Sequence, residues 1–239
     1  MNEQEQSKLI AFDRSHYLAI NEARATWLSR VIQEMPSRES LKTALDVGCG
    51  AGFFAKLLND LNFQVKGIDL REENITVCRQ RYPEIQFDIV DLDVELPNLG
   101  VYDVVLMFGI LYHLQSPLQS ILALSKIIGE VGIVETRIAS GDSMACYLFH
   151  EAEGEAHNHA RVTLVPTLPA LIRMFIYAGF DYVYRPKYQP DHEQWKRLRN
   201  GQRHCLVVSR RAIDNPEWDK VDAPDFIRKW KPMNVISKI

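Results

Sequence analysis

Apolar and polar positions along the chain alternate between two rhythms. Short runs such as Ala44–Val47, Gln64–Asp69, Ile85–Val90, Val101–Phe108 and Gly132–Ile138 carry branched and aromatic residues with few interruptions. Their length and β-branched content predict strands buried on both faces. Between them, Phe53–Leu61, Glu72–Tyr82 and Leu118–Ile128 space their apolar residues as helices do. Pro83 stops the second of these helices, and Ser116-Pro117 opens the third with a capping residue and a proline at the first helical position. Leu168–Ala178 reads as a further helix, opened by Pro169 and closed by Gly179. Asp181–Arg185 and His204–Arg210 read as two last strands. Only a loop with some helical character separates them (Asp191–Arg199), which suits antiparallel pairing.

Strand and helix in alternation predict an α/β fold: a seven-stranded, mainly parallel, doubly wound sheet. Before it, residues 3–34 carry the stripe Leu9, Phe12, Leu18, Trp27, Leu28 and Val31, so residues 1–40 are expected to form a helical cap. Residues 41–211 would form the sheet domain, with 139–165 as an insertion after the fifth strand, and 212–239 as a tail containing Trp218 and Trp230.

The 239 residues suit one core, and 46% hydrophobic with 25% charged residues is the balance of a globular protein. A formal net charge of −3 sets up no global field toward nucleic acid or anionic membrane. The polar start and the lack of a long apolar run predict neither a signal peptide nor a membrane span. Cys49, Cys78, Cys146 and Cys205 are scattered, which fits reduced thiols in a cytoplasmic protein.

The candidate chemistry starts at Leu45-Asp46-Val47-Gly48-Cys49-Gly50-Ala51-Gly52, a strand end followed by a glycine turn and a helix start. Such a turn lets backbone N–H groups approach a ligand because no Cβ stands in the way. Asp69, about 20 residues on, stands where a ribose hydroxyl would be held. The glycines fall as G-x-G-x-G and not as the G-x-G-x-x-G of dinucleotide sites.

That spacing, with Asp69, with Asp91-Leu92-Asp93 after the third strand, and with Tyr102–Gly109 as the fourth, resembles the motifs of the class I S-adenosylmethionine-dependent methyltransferases over residues 44–138. The resemblance implies a cofactor held by Asp46, Gly48, Cys49, Gly50 and Gly52, with Asp69 on the ribose and Leu70 beside the adenine. It implies Asp91 and Leu92 at the adenine edge and Phe108 and Gly109 along the methionine part. Methyl transfer needs a nucleophile in line with the S–CH₃ bond, so positioning carries much of the rate. A base helps where the nucleophile is a hydroxyl.

Phe108-Gly-Ile-Leu-Tyr112-His113-Leu-Gln-Ser116-Pro117 lies over the expected transfer site. It resembles the bacterial tRNA wobble-uridine carboxymethyltransferases, as do Glu135-Thr136, Gly141-Asp142, Val165–Leu171 and Gln202–Val208. This implies carboxy-S-adenosylmethionine as an alternative donor, tRNA as an alternative acceptor, and Tyr112 with Arg203 near the donor carboxylate. Because L-Y-H also occurs in methyltransferases of sugars, lipids and secondary metabolites, the expected acceptor is a small or medium-sized molecule methylated on oxygen or nitrogen. A catalytically inactive, cofactor-binding partner subunit is the non-enzymatic alternative. Tyr112 and His113 are the catalytic candidates, His113 by virtue of an imidazole pKa in the useful range. Tyr112, Glu135, His157, His159 and Arg203 are the candidates for contacting substrate. The run His150–His159 holds three imidazoles and three carboxylates, but without metal-ligand spacing it reads as a charged lid and no metal is assigned.

Overall fold

The apolar runs become the centre of one sheet. In a computed structural model of the chain, residues 15–36, 38–94, 97–150, 162–196 and 203–222 are described. β1 (Thr43–Val47), β2 (Gln64–Asp69), β3 (Gln86–Ile89), β4 (Tyr102–Phe108) and β5 (Ile128–Arg137) are parallel, because a helix or crossover carries the chain back between each pair. β8 (Tyr182–Pro186) and β9 (Arg203–Ser209) join antiparallel, and β10 (Trp218–Lys220) pairs antiparallel with β8. The order is β10-β8-β9-β5-β4-β1-β2-β3. The expectation of seven strands is therefore corrected to eight. The added strand comes from the segment after Ala212, where a three-residue run was too short to carry a periodic signal. Its anchor is the Trp218 ring, buried beside Tyr184.

Helices cover both faces. α1 (Ser15–Gln33), α2 (Phe53–Asp60) and α3 (Glu72–Arg81) pack Trp27, Leu28, Val31, Leu58 and Ile75 on one side. α4 (Pro117–Ser125) and α5 (Leu168–Tyr177) pack Ile121, Leu124, Leu171 and Phe175 on the other. Each buried side chain of this size contributes about 1.5–3 kcal/mol relative to an exposed one. Leu9 and Phe12 of the expected N-terminal stripe lie outside the described residues.

Two boundaries shift. α4 ends at Ser125 and β5 begins at Ile128, four residues before the expected Gly132. No proline or glycine marks that junction. It is set by the neighbouring chain, since Tyr102 N donates to Ile127 O and Arg210 Nη1 donates to Ile128 O. The Ser116 side chain makes no cap bond to α4. Asp93 accepts from Gln115 N and Ser116 N instead, so the approach to this helix is held from the loop after β3. After β5, β6 (Cys146–His150) and β7 (Val162–Pro166) form an antiparallel hairpin, and Thr167 caps α5 by accepting from Ala170 N.

At Gly67 on β2, an added Cβ would stand 2.6 Å from the Phe87 ring on β3 and 3.1 Å from Cys49 Sγ. Gly67→Ala is expected to destabilise the protein by about 1–3 kcal/mol through overpacking. A thermal unfolding comparison checks this, and an unchanged melting temperature would contradict the packing described.

Candidate active site at the carboxyl ends of the strands

Parallel strands deliver all their carboxyl ends to one edge of the sheet. The order reverses between β1 and β4, which opens a crevice there. The glycine turn follows β1, Asp69 ends β2, Asp91 follows β3, and Phe108 ends β4. Because β9 runs antiparallel to β5, its first residue, Arg203, lies opposite the last residue of β5, Arg137, at this same edge.

Gly48, Gly50 and Gly52 have φ of 72°, 53° and 84°, conformations that side chains disfavour. Gly48 N and Cys49 N donate to Ile68 O at 2.8 and 2.9 Å, which ties the turn to β2. The Asp69 carboxylate accepts from Gly50 N at 2.9 Å, Arg71 N at 2.9 Å and Asn74 Nδ2 at 3.0 Å. A carboxylate has about four acceptor positions. Asp69 thus keeps acceptor capacity while being held in place. Asn74, missed in the sequence reading, lies five residues on, one turn into α3.

Asp46 is buried at the end of β1, and its Oδ2 has no hydrogen-bond partner. Burial raises its pKa to about 7; the Ala55 backbone N–H partly offsets this, and the Asp69 charge adds to it. The Cys49 side chain turns inward toward Cys78, whose Sγ donates to Gly50 O at 3.2 Å, and the Cys49 thiol is pushed up by that partner and by burial. Asp91 accepts from Asp93 N at 2.9 Å, while Leu92 is buried and Leu70 half-buried. Phe108 lies between Phe54, at 5.0 Å between centroids, and Trp27, at 6.1 Å. Gly109 follows with φ 68°, and a Cβ there would point at Arg24 Nη2 and Tyr112 OH, each 3.7 Å away.

Beyond Gly109 lies a charged cluster. Glu135 was expected to shape the substrate pocket directly. It is instead fully buried, between Arg203 Nη1 at 2.8 Å and Arg24 Nη2 at 2.8 Å. The contact with Arg24 is an ion pair without hydrogen-bond alignment at Glu135 Oε2. Arg203 also donates to Gln194 Oε1 at 2.6 Å and to Tyr112 OH at 3.3 Å, and Arg24 donates to Asn21 Oδ1 at 3.1 Å. Burial works against the Arg203 charge, but Glu135 and Tyr112 together raise its pKa, so Arg203 is held protonated. Arg24 and Asn21 come from α1. The sequence reading missed them because they sit as ordinary polar positions on an amphipathic helix.

Tyr112 and His113 are half-buried in a one-turn helix, with ring centroids 4.0 Å apart. The expected mid-range imidazole is corrected here. Burial, then the charges of Arg137, Arg203 and Arg71, lower His113 to about 3. It stays neutral at physiological pH. His157 and His159 lie outside the described residues, and among the described residues no group of His, Cys, Asp and Glu is arranged to hold a metal.

Comparison with known proteins bears on the family and the fold. Residues 20–185 match a family model described as a methyltransferase domain. The chain is 30% identical over 162 residues to a tRNA U34 carboxymethyltransferase of Shewanella frigidimarina, covering 63% of this chain and 47% of the relative. It is 31% identical over 153 residues to the Pseudomonas putida (strain GB-1) protein of the same name, covering 59% and 46%. The chain thus spans about half the length of the curated relatives it matches. Its fold is similar to the N-terminal domain of EvdMO1 with SAH bound (TM-score 0.66, 17% identity, 82% of this chain and 84% of that one). It is also similar to the sugar N-methyltransferase KedS8 from Streptoalloteichus (TM-score 0.57, 17% identity, 80% and 88%). The extent of the family match, together with the glycine turn, the acids after β2 and β3 and the loop after β4, identifies the chain as a member of the methyltransferase-domain family.

Proposed function

We propose that this protein transfers a methyl group from S-adenosylmethionine to an oxygen or nitrogen atom of a small or medium-sized acceptor. The observation that carries the reading is the junction of the glycine turn with Asp69, where Gly50 N donates to the carboxylate at 2.9 Å. It is a rigid acceptor beside a glycine turn that leaves room for close approach, at the reversal point of a parallel sheet. The residues fit the cofactor: Asp69 has acceptor capacity for ribose hydroxyls, and the buried, unpartnered Oδ2 of Asp46 suits a cationic ligand group. Asp91 and Leu92 would read the adenine edge, Leu70 would cover its face, and Phe108 and Gly109 would border the methionine part. When bound, the cofactor supplies an electrophilic methyl on a sulfonium. The chain's own residues then position and desolvate. Trp27, Phe54 and Phe108 exclude water, and Tyr112 and His113 border the reacting atoms. With a neutral imidazole of low basicity, His113 acts as an acceptor that orients the nucleophile; an amine that enters as the free base attacks without prior deprotonation and releases its proton to solvent after transfer.

A second reading concerns the donor. Glu135 answers two guanidiniums with one charge, leaving the buried Arg24–Glu135–Arg203 group cationic beside Gly109 and Tyr112. That favours a carboxylated donor, in which the additional carboxylate would meet Arg203 and Tyr112. The tRNA-modifying activity for which the matched relatives are named is the alternative that goes with it. Mass spectrometry of ligand carried through purification separates the two donors. The ordinary donor is expected; carboxy-S-adenosylmethionine would move the assignment to the second reading.

Two further outcomes test the site. Asp69→Ala is expected to weaken S-adenosylmethionine binding more than tenfold in calorimetry, and unchanged affinity would remove the cofactor assignment. For Asp46, raised to about 7, the sign is set by the native state holding its proton longer than the unfolded chain. Its contribution to stability is greatest below the unfolded carboxylate value of about 3.9 and declines as pH rises toward about 7. A cationic ligand favours the ionised form. Affinity should therefore rise by up to about tenfold between pH 6 and 8. Asp46→Asn should flatten both dependences, as measured by calorimetry and by thermal unfolding across pH.

A further inference from the structure

Arg137 is the last residue of β5 and pairs across the antiparallel ladder with Arg203, the first residue of β9. Like charges directly opposite one another destabilise a sheet. The conflict is resolved on one side only. Arg203 is held by Glu135 at 2.8 Å and by Gln194 at 2.6 Å, and Glu135 is already shared with Arg24. Arg137 is exposed, and among the described residues no carboxylate pairs with it. What it has is the Tyr112 ring, 5.4 Å from its guanidinium carbon, the same distance at which Arg203 meets that ring. A ring contact at an exposed site contributes about 0.5–1 kcal/mol and leaves the charge in place. Tyr112 is therefore flanked by two cations: Arg203, which shares the Glu135 carboxylate with Arg24, and Arg137, which has no carboxylate partner among the described residues. The second stands at the mouth of the crevice, where its charge reaches His113.

We propose that Arg137, seated against Tyr112, binds a carboxylate or phosphate group carried by the acceptor molecule. This deepens the methyltransferase reading and rests on it for the word acceptor. A guanidinium presents a planar fork that takes either group through two parallel hydrogen bonds. Its place on a strand end gives that fork a fixed origin next to the Gly109–His113 loop. The chain's formal net charge of −3 sets up no global field toward a nucleic-acid backbone, so a small acidic molecule fits this guanidinium better. Binding would remove the unanswered like-charge contact, so the energy held against the fold in the empty site is returned on loading.

The test titrates inorganic phosphate and benzoate into the purified protein by calorimetry at constant ionic strength, with and without saturating S-adenosylhomocysteine. Saturable millimolar binding of one or both probes is expected for the wild type, at least tenfold weaker binding for Arg137→Gln, and partial recovery for Arg137→Lys. Arg137→Gln should keep or raise the melting temperature, since it removes a like-charge neighbour. No saturable binding to the wild type, or equal binding to Arg137→Gln, overturns the proposal. So does an anticodon stem-loop whose binding depends on Arg137 while the small anions do not bind. Arg137→Gln weakening carboxy-S-adenosylmethionine as much as it weakens the probes would assign Arg137 to the donor and overturn the acceptor role. Absence of S-adenosylhomocysteine binding would fail the methyltransferase reading separately, and the titration of empty protein would still decide the anion site.

Discussion

The buried carboxylate of Glu135 is the interaction on which the site end of this molecule depends. It joins α1 through Arg24 to β9 through Arg203, and Arg203 in turn reaches Gln194 of α6 (Glu193–Lys196) and the hydroxyl of Tyr112. Elements far apart in sequence are thereby set around the carboxyl end of β4. The arrangement is costly to disturb, because removing one partner of a buried ion pair leaves an uncompensated charge at about 3–5 kcal/mol. It is also incomplete, since one carboxylate cannot neutralise two guanidiniums. The residual positive charge lies at the end of the crevice away from the acids of β1 and β2.

The crevice is polarised as a result. Asp46 and Asp69 stand near the ends of β1 and β2, while Arg137 and Arg203 stand at the ends of β5 and β9 on the other side of β4, with Arg24 against Glu135. A ligand with separated charges, cationic near Asp46 and anionic near the arginines, is complementary to such a field. Desolvation strengthens each of these interactions relative to water. Backbone rigidity supports the polar groups: positive φ at the turn glycines and three donors on Asp69 leave little to reorganise when a ligand arrives.

Much of this was legible in the residues. β2 occupies the predicted span Gln64–Asp69, and β1, β3 and β4 fall within a residue of theirs. Continuous apolar runs bounded by turns carry their own signal. Gly48, Gly50, Gly52, Asp69 and Asp91 were legible because a tight turn and the strand ends beside it are local features of the chain. Arg24, Asn21, Asn74 and Arg137 were not. Each is a polar residue at an unremarked helix or strand-end position, and its significance depends on a neighbour distant in sequence or on the other side of a turn. The eighth strand was missed for the same reason, since Trp218–Lys220 becomes a strand only by pairing with β8.

The sequence by itself determined the α/β class, the parallel core and the glycine turn with its following acids, because these arise from periodicity and backbone freedom within short segments. Tertiary structure alone decided the state of the ionisable groups. His113 has an ordinary imidazole in sequence, and only the burial and the convergent arginines of the folded protein lower it to about 3. Glu135 could have lined a pocket, and only the arrival of Arg24 and Arg203 from two other elements seals it inside. Charge interactions depend on distance and solvent access, and neither exists until the strands that carry these groups are side by side.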